Sequence, residues 1–275
     1  MMKFTTSDGL QLAYEDAGEG TVLLCLPGLT RNARDFDDLA GAIKGVRLVR
    51  LTYRGRGESD YDPVYANYNV PQEAKDALEL LDHLGIEKAI FVGTSRGGII
   101  AMLSAAMAKN RMSGVLLNDI GPEINTDGLS RIMDYLGVQP KAKTFEEAAA
   151  GLRANMGAEF PKLTDVDWLE QAKRWMEMGP NGLRLNYDPK LRDAVIEQAA
   201  KEQPDLWPLF DAMEGLPLAL IRGANSDLLS EDSVAEMQRR RPDMIYANVP
   251  DKGHVPFLNE PEAVAAIEKL IGQVR

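Results

Sequence analysis

The chain has one cysteine, two histidines and three tryptophans among its 275 residues. A single thiol forms no internal disulfide, and Cys25 sits in the apolar run VLLCL, where a buried and inert side chain is expected. Basic residues are also scarce. Lys and Arg number 31 against 42 Asp and Glu, a formal charge of −11, which argues against a polyanion such as nucleic acid or an anionic membrane surface as partner. Long apolar runs are lacking: the longest, GGIIAMLSAAMA, suits a helix buried inside a domain better than a bilayer span. The N-terminal MMKFTTSDG has no apolar core of a signal peptide, so a cytoplasmic location is the expectation. There is no internal repeat and no low-complexity tract.

What is present is enough apolar residue, 45 %, to supply the core of one large α/β domain or a core with an insertion. Residues 3 to 15 alternate about a turn at Asp8 and Gly9, as in a hairpin. Short apolar runs then alternate with helical patterns: 21–26, 46–53, 89–93, 114–119, 217–223 and 244–250. That order predicts a mostly parallel sheet covered by helices on both faces. In QEAKDALELLDHLGI, Ala74, Ala77, Leu78, Leu81 and Leu84 form a buried stripe, while Gln72, Asp76, Glu79 and His83 fall on a solvated face. Between Gly121 and about Gly215 the strand pattern gives way to amphipathic helices, GLSRIMDYLG, TFEEAAAGLRANMG, DVDWLEQAKRWMEM and LRDAVIEQAAKEQ. The division expected is a core segment 1–120, a helical cap 121–215 over the carboxyl edge of the sheet, and a second core segment 216–275.

The chemistry centres on Gly93-Thr94-Ser95-Arg96-Gly97, placed between a strand run and a helical run. A strand that turns into a helix within about two residues strains the apex residue and tolerates only small neighbours, which the glycines supply. Ser95 is then held above the sheet edge at a helix N-terminus, where free N–H groups stabilise developing negative charge. A serine hydroxyl needs a base to act as nucleophile. Of the two histidines, His254, in the loop VPDKGHVPFLNEPE before a helix opened by Pro261, is the candidate. The ring in turn needs a carboxylate. Asp227, just beyond the strand ending near Arg222, gives the chain order Ser, Asp, His and is the carboxylate expected at the ring; Asp119, at the end of GVLLND, also follows a strand and is its competitor. Asp251 is too near His254 in sequence to orient it.

These features together resemble the α/β-hydrolase superfamily, in particular its capped small-molecule serine hydrolases, over nearly the whole chain. GTSRGG is similar to the nucleophile elbow, GANSDLLS to the acid turn, DKGHVPFLNEPE to the histidine loop, and YRGRGESD to the arginine-glycine turn after an early strand. CLPGLTRN looks like the oxyanion loop, so the resemblance implies the backbone N–H groups of Leu29 and Arg96 as the oxyanion pair. Two departures stand out: Pro27-Gly28 where many relatives have His-Gly, and Thr52 where many have an aspartate before the arginine-glycine turn. A serine at the elbow sets aside the branches that use an aspartate nucleophile.

The implied activity is hydrolysis of a carboxylic ester or lactone of a small organic molecule through an acyl-enzyme on Ser95, without metal or organic cofactor. Cleavage of a carbon-carbon bond in a diketone-like aromatic breakdown product, or ligand reception without turnover, are the alternatives. Arg31, Arg96 and Arg222 all fall near the expected mouth, either to recognise a substrate carboxylate or to pair with the chain's many acids. Trp168, Trp175 and Trp207 lie in the inserted segment, where they line an apolar pocket or form the cap's own core, with Trp175 and Trp207 as the pocket candidates. The partner expected is a small-molecule substrate, and the chain is expected as a monomer or homodimer.

Overall fold

Six parallel strands carry the architecture, and a hairpin extends it at one edge. The computed structural model describes residues 1–201 and 204–274; Glu202 and Gln203, expected at the end of a cap helix, and Arg275, the last residue of the second core segment, lie outside the described residues. The hairpin β1 (Met2–Thr5) and β2 (Gln11–Gly18) turns at residues 6–9 as expected and pairs antiparallel with β4 (Val46–Leu51). Parallel to β4 run β3 (Thr21–Leu26), β5 (Ala89–Thr94), β6 (Met112–Asn118), β9 (Leu218–Gly223) and β10 (Ile245–Val249). The eight strands lie in the order β1-β2-β4-β3-β5-β6-β9-β10. The direction in which strands are added reverses at β3, which has β4 on one side and β5 on the other. Open α/β sheets bind ligands beyond the carboxyl ends of the strands at such a point.

Both faces of the sheet are covered, which is why its strands are near-continuous apolar runs. Leu24, Leu26, Val49, Phe91, Val115 and Leu117 pack toward α2 (Val70–His83) and α3 (Arg96–Ala108). The alternate residues Leu23, Cys25, Leu48, Ile90, Val92 and Leu116 share a core with α1 (Asp37–Ala42) and α10 (Pro261–Val274). Cys25 is fully buried, and burial pushes its thiol up to about 12, consistent with an inert side chain.

The solvated face expected on α2 is only partly solvated. Asp76 is fully buried because the wholly buried Arg54 of the arginine-glycine turn reaches it: Nε and Nη2 donate to its carboxylate at 2.7 and 2.6 Å, and Nη1 donates to Asp62 and Asp8 at 2.6 and 2.8 Å. His83 remains exposed and packs its ring against Phe4 and Tyr14. Replacing Arg54 with methionine leaves Asp62 and Asp76 buried without their cation, and is expected to cost about 3–5 kcal/mol. A urea unfolding midpoint unchanged from the parent would contradict this role.

The inserted segment holds α4 (Thr126–Tyr135), α5 (Phe145–Met156), α6 (Asp165–Trp175), α7 (Leu191–Ala199) and α8 (Trp207–Asp211). It also holds a hairpin that helical periodicity alone does not reveal. The helix expected to run through Met178 stops at Trp175, and β7 (Met176–Gly179) pairs antiparallel with β8 (Gly182–Leu185). The turn Gly179-Pro180-Asn181-Gly182 supplies the breaker residues, with Gly182 at φ 114°. The capping box at Thr164 and Asp167 fixes the start of α6. Phe160, Trp168, Ala172 and Leu183 form a small core of this layer, resting on Phe257 of the histidine loop. α8 instead packs on α3, with Phe210 and Met213 entering the main core.

Candidate active site

Ser95 stands at the end of β5 with φ 51° and ψ −119°, a conformation that L side chains rarely adopt. The surroundings enforce it. A Cβ on Gly93 would come within 2.4 Å of the Gly97 carbonyl oxygen, one on Gly97 within 2.0 Å of the Leu26 carbonyl oxygen, and one on Gly98 within 2.2 Å of the Ile120 side chain. Three successive close approaches thus require glycine. The Ser95 N–H donates to the Asn118 carbonyl at 3.0 Å, so β5–β6 pairing continues to the apex.

His254 comes to Ser95 from the loop after β10. Nε2 lies 2.9 Å from Ser95 Oγ, and Nδ1 lies 2.7 Å from Oδ2 of Asp119. Because a carboxylate only accepts, Nδ1–H donates to it and Nε2 is left to accept the serine proton. The histidine loop is pinned from below: Asn118 Nδ2 donates to the Pro256 carbonyl at 3.0 Å and to Thr94 Oγ1 at 3.1 Å.

The carboxylate at the ring is therefore Asp119, not Asp227. Asp119 is fully buried at φ 56°, one residue past β6, the strand beside β5. Its Oδ1 accepts from Gly223 N–H at 2.8 Å and its Oδ2 from Ser226 Oγ at 2.6 Å as well as from the ring. Asp227 lies four residues beyond the end of β9, where the chain has turned toward the cap. Its Oδ2 is taken by Arg131 of α4, through Nε at 3.0 Å and through Nη2. The GANSDLLS turn thus contributes Ser226, which holds the acid, and sends its own aspartate outward. Sequence position gives no way to choose, because both aspartates follow neighbouring strands at the same sheet edge.

The loop after β3 closes the other side. A Cβ on Gly28 would stand 3.8 Å from Ser95 Cβ. Arg96 opens α3, so its N–H has no intrahelical acceptor, and the N–H of Leu29 has no acceptor among the described residues. One buried carboxylate ties these two positions together. Glu73 of α2 accepts from Arg96 Nε at 2.5 Å and pairs with Arg56 Nη1 at 2.9 Å, while Arg56 Nε donates to the Leu29 carbonyl at 3.0 Å. Helical spacing assigns Glu73 no such part; its only signal is an acid on a helix that also carries the partner of Arg54.

Of the three arginines expected at the mouth, two are engaged elsewhere. Arg96 binds Glu73 and the Tyr68 carbonyl, and Arg222 donates to the Leu229 carbonyl of its own turn. Arg31 lines the cleft, its guanidinium carbon 3.3 Å from the centroid of the Trp175 ring. Burial pushes Arg31 down and the nearby Asp35 carboxyl up from their ordinary values. Trp168 and Trp175 both reach the cleft, alongside Phe160, Phe257 and His254. Trp207 does not. It packs on Phe210 under Arg240 and donates Nε1–H to Glu123, because α8 belongs to the layer over α3.

Residues 23–267 match the Alpha/beta hydrolase family. The chain belongs to that family. Over 267 residues it is 38 % identical to a 3-hydroxybutyrate-oligomer hydrolase of Cupriavidus necator, covering 93 % of this chain and 90 % of that one. It is 26 % identical to a 2-(acetamidomethylene)succinate hydrolase of Mesorhizobium japonicum, covering 91 % and 87 %. A crystal structure of an alpha/beta hydrolase from Novosphingobium aromaticivorans superposes with a TM-score of 0.92 at 40 % identity, over 99 % of this chain and 97 % of that one. Among the described residues, no helix is long and apolar enough to cross a membrane.

Proposed function

We propose that this α/β hydrolase cleaves a carboxylic ester of a small organic acid through an acyl-enzyme on Ser95. The observation that carries the reading is the continuous chain of hydrogen bonds from Ser95 Oγ through the ring of His254 to the buried carboxylate of Asp119. His254 takes the Ser95 proton as Oγ bonds to the ester carbonyl carbon, and the carbonyl π pair moves onto oxygen. The N–H groups of Leu29 and Arg96 receive that oxyanion. Collapse expels the alkoxide, which His254 protonates. Water then attacks the acyl-enzyme with His254 again as base, releasing the acid and restoring Ser95.

The similarity to an oligomer hydrolase supports an ester bond between hydroxy acids as the substrate type. The second relative named above is a hydrolase of a succinate derivative, so both names describe substrates that carry carboxylates. The cleft is partly open, and its lining includes Met156 and Leu163 of the cap, so these side chains would border a bound ester.

The test is steady-state turnover on a panel of p-nitrophenyl esters of increasing acyl length, hydroxy-acid dimers, lactones and a diketone. Multiple turnovers on esters or dimers are expected. Turnover of the diketone alone, or saturable binding with no turnover of any compound, would replace the ester reading by carbon-carbon hydrolysis or by reception.

A further inference from the structure

Buried guanidinium N–H groups are almost always satisfied, because an unpaired one forfeits its hydration with nothing in return. Arg31 Nη1 is buried and has no hydrogen-bond partner. Asp35 approaches Nε at 3.8 Å, close enough to balance charge but beyond hydrogen-bond length. The guanidinium also has a packing partner: its carbon sits over the Trp175 ring, 3.3 Å from the centroid, a contact that favours one position of the side chain. The other cation of the cleft, Arg174, is occupied by Asp38, to which Nη1 and Nη2 both donate.

The stem of this side chain lies close to the reacting groups. The Cβ site of Gly28 is 3.4 Å from Arg31 Cγ and 3.8 Å from Ser95 Cβ, so one glycine separates the arginine stem from the nucleophile. Arg31 and His254 line the same cleft, together with the rings of Phe160, Trp168 and Phe257 and the carboxylate of Asp35. A protein of net charge −11 repels an anion at long range, and because Asp35 balances the charge of Arg31 within the cleft, recognition there rests on the unsatisfied donor rather than on a net local charge.

We infer that Arg31 is the subsite for a free carboxylate at the far end of the substrate, so that the preferred esters are acidic ones in which a short hydrocarbon spacer joins the scissile bond to a carboxylate. The inference rests on the hydrolase reading of Ser95. The carboxylate accepts from Nη1, the spacer lies on the aromatic wall, and the ester carbonyl is thereby held at Ser95. The contact forms in the ground state and persists in the transition state, so it acts chiefly through KM.

The experiment compares p-nitrophenyl hydrogen adipate with its neutral methyl ester, in the parent protein, Arg31→Gln and Arg31→Lys, and measures adipate binding by calorimetry in Ser95→Ala with and without Arg31→Gln. The parent is expected to favour the acidic ester by roughly ten- to a hundred-fold in kcat/KM, mainly through KM. Arg31→Gln should bring the ratio close to one and weaken adipate binding at least tenfold, and Arg31→Lys, which keeps the charge without the planar fork, should retain part of the preference. A parent ratio near one, or a parent-like ratio in both variants, overturns the inference while leaving ester hydrolysis intact. Where neither ester is turned over, the hydrolase reading fails and adipate binding decides the subsite alone: loss on Arg31→Gln supports it, and no binding or unchanged binding overturns it.

Discussion

Ser95→Ala is expected to lower ester turnover by on the order of 10⁶ while leaving the fold and the unfolding midpoint close to the parent's. His254→Ala should cost about as much, and the double variant little more, because the two groups act as one unit: a nucleophile without its base and a base without its nucleophile are equally idle. The substitution at 95 is mild for the structure. Alanine keeps the Cβ that the elbow already accommodates, and the backbone N–H still reaches Asn118. Parallel measurement of kcat and the unfolding midpoint distinguishes this from a folding defect. Residual activity near the parent's in Ser95→Ala would end the acyl-enzyme mechanism.

The second large effect separates the two aspartates. Asp119→Asn is expected to lower kcat by about 10⁴, and the reason lies in how its two oxygens are used. Gly223 N–H demands an acceptor at the Oδ1 position, so the amide oxygen of asparagine settles there. The amide NH₂ is then presented to His254 Nδ1, where the carboxylate oxygen had accepted. The ring is driven to the tautomer that carries its proton on Nε2, which has no lone pair for the serine proton. Asp227→Asn loses only part of a half-exposed pair with Arg131, and is expected to change kcat by less than about tenfold and stability by up to about 1 kcal/mol. Equal losses in the two variants would show that the hydrogen-bonded partner is not the one that matters.

Much of this site is legible in the residues themselves, because some positions allow one chemistry only. Gly93, Gly97 and Gly98 around a lone hydroxyl predict a strained turn, and the close approaches of β3, α3 and Ile120 at those three positions are its physical content. With only two histidines in the chain, and one on the exposed end of a helix, His254 follows from elimination. The strands are readable for a similar reason: a sheet covered on both faces imposes apolar side chains at most positions of its central strands.

What the sequence conceals is direction. Whether Asp119 or Asp227 turns toward the ring depends on a positive φ at residue 119 and on the path of the chain after Gly223, neither of which leaves a trace in composition or spacing. The same applies to charge burial. Asp76 and Glu73 look like ordinary solvated acids on α2, and only the long reach of Arg54, Arg56 and Arg96 from other elements draws them inside. The β7–β8 hairpin is hidden for a third reason: its four-residue strands are too short to show alternation beside the helical pattern of α6, so the glycines and proline of the turn are its sole local sign.

The central claim, that Asp119 and His254 together make the Ser95 oxygen nucleophilic, is tested most directly by the rate at which a fluorophosphonate modifies the folded protein, with the adduct located by peptide mass spectrometry. In the parent the label is expected on Ser95; Asp227→Asn should react at a similar rate, while Asp119→Asn slows by at least about a hundredfold. No modification of Ser95 in the parent, or an Asp119→Asn protein that reacts as fast as the parent, would contradict the account.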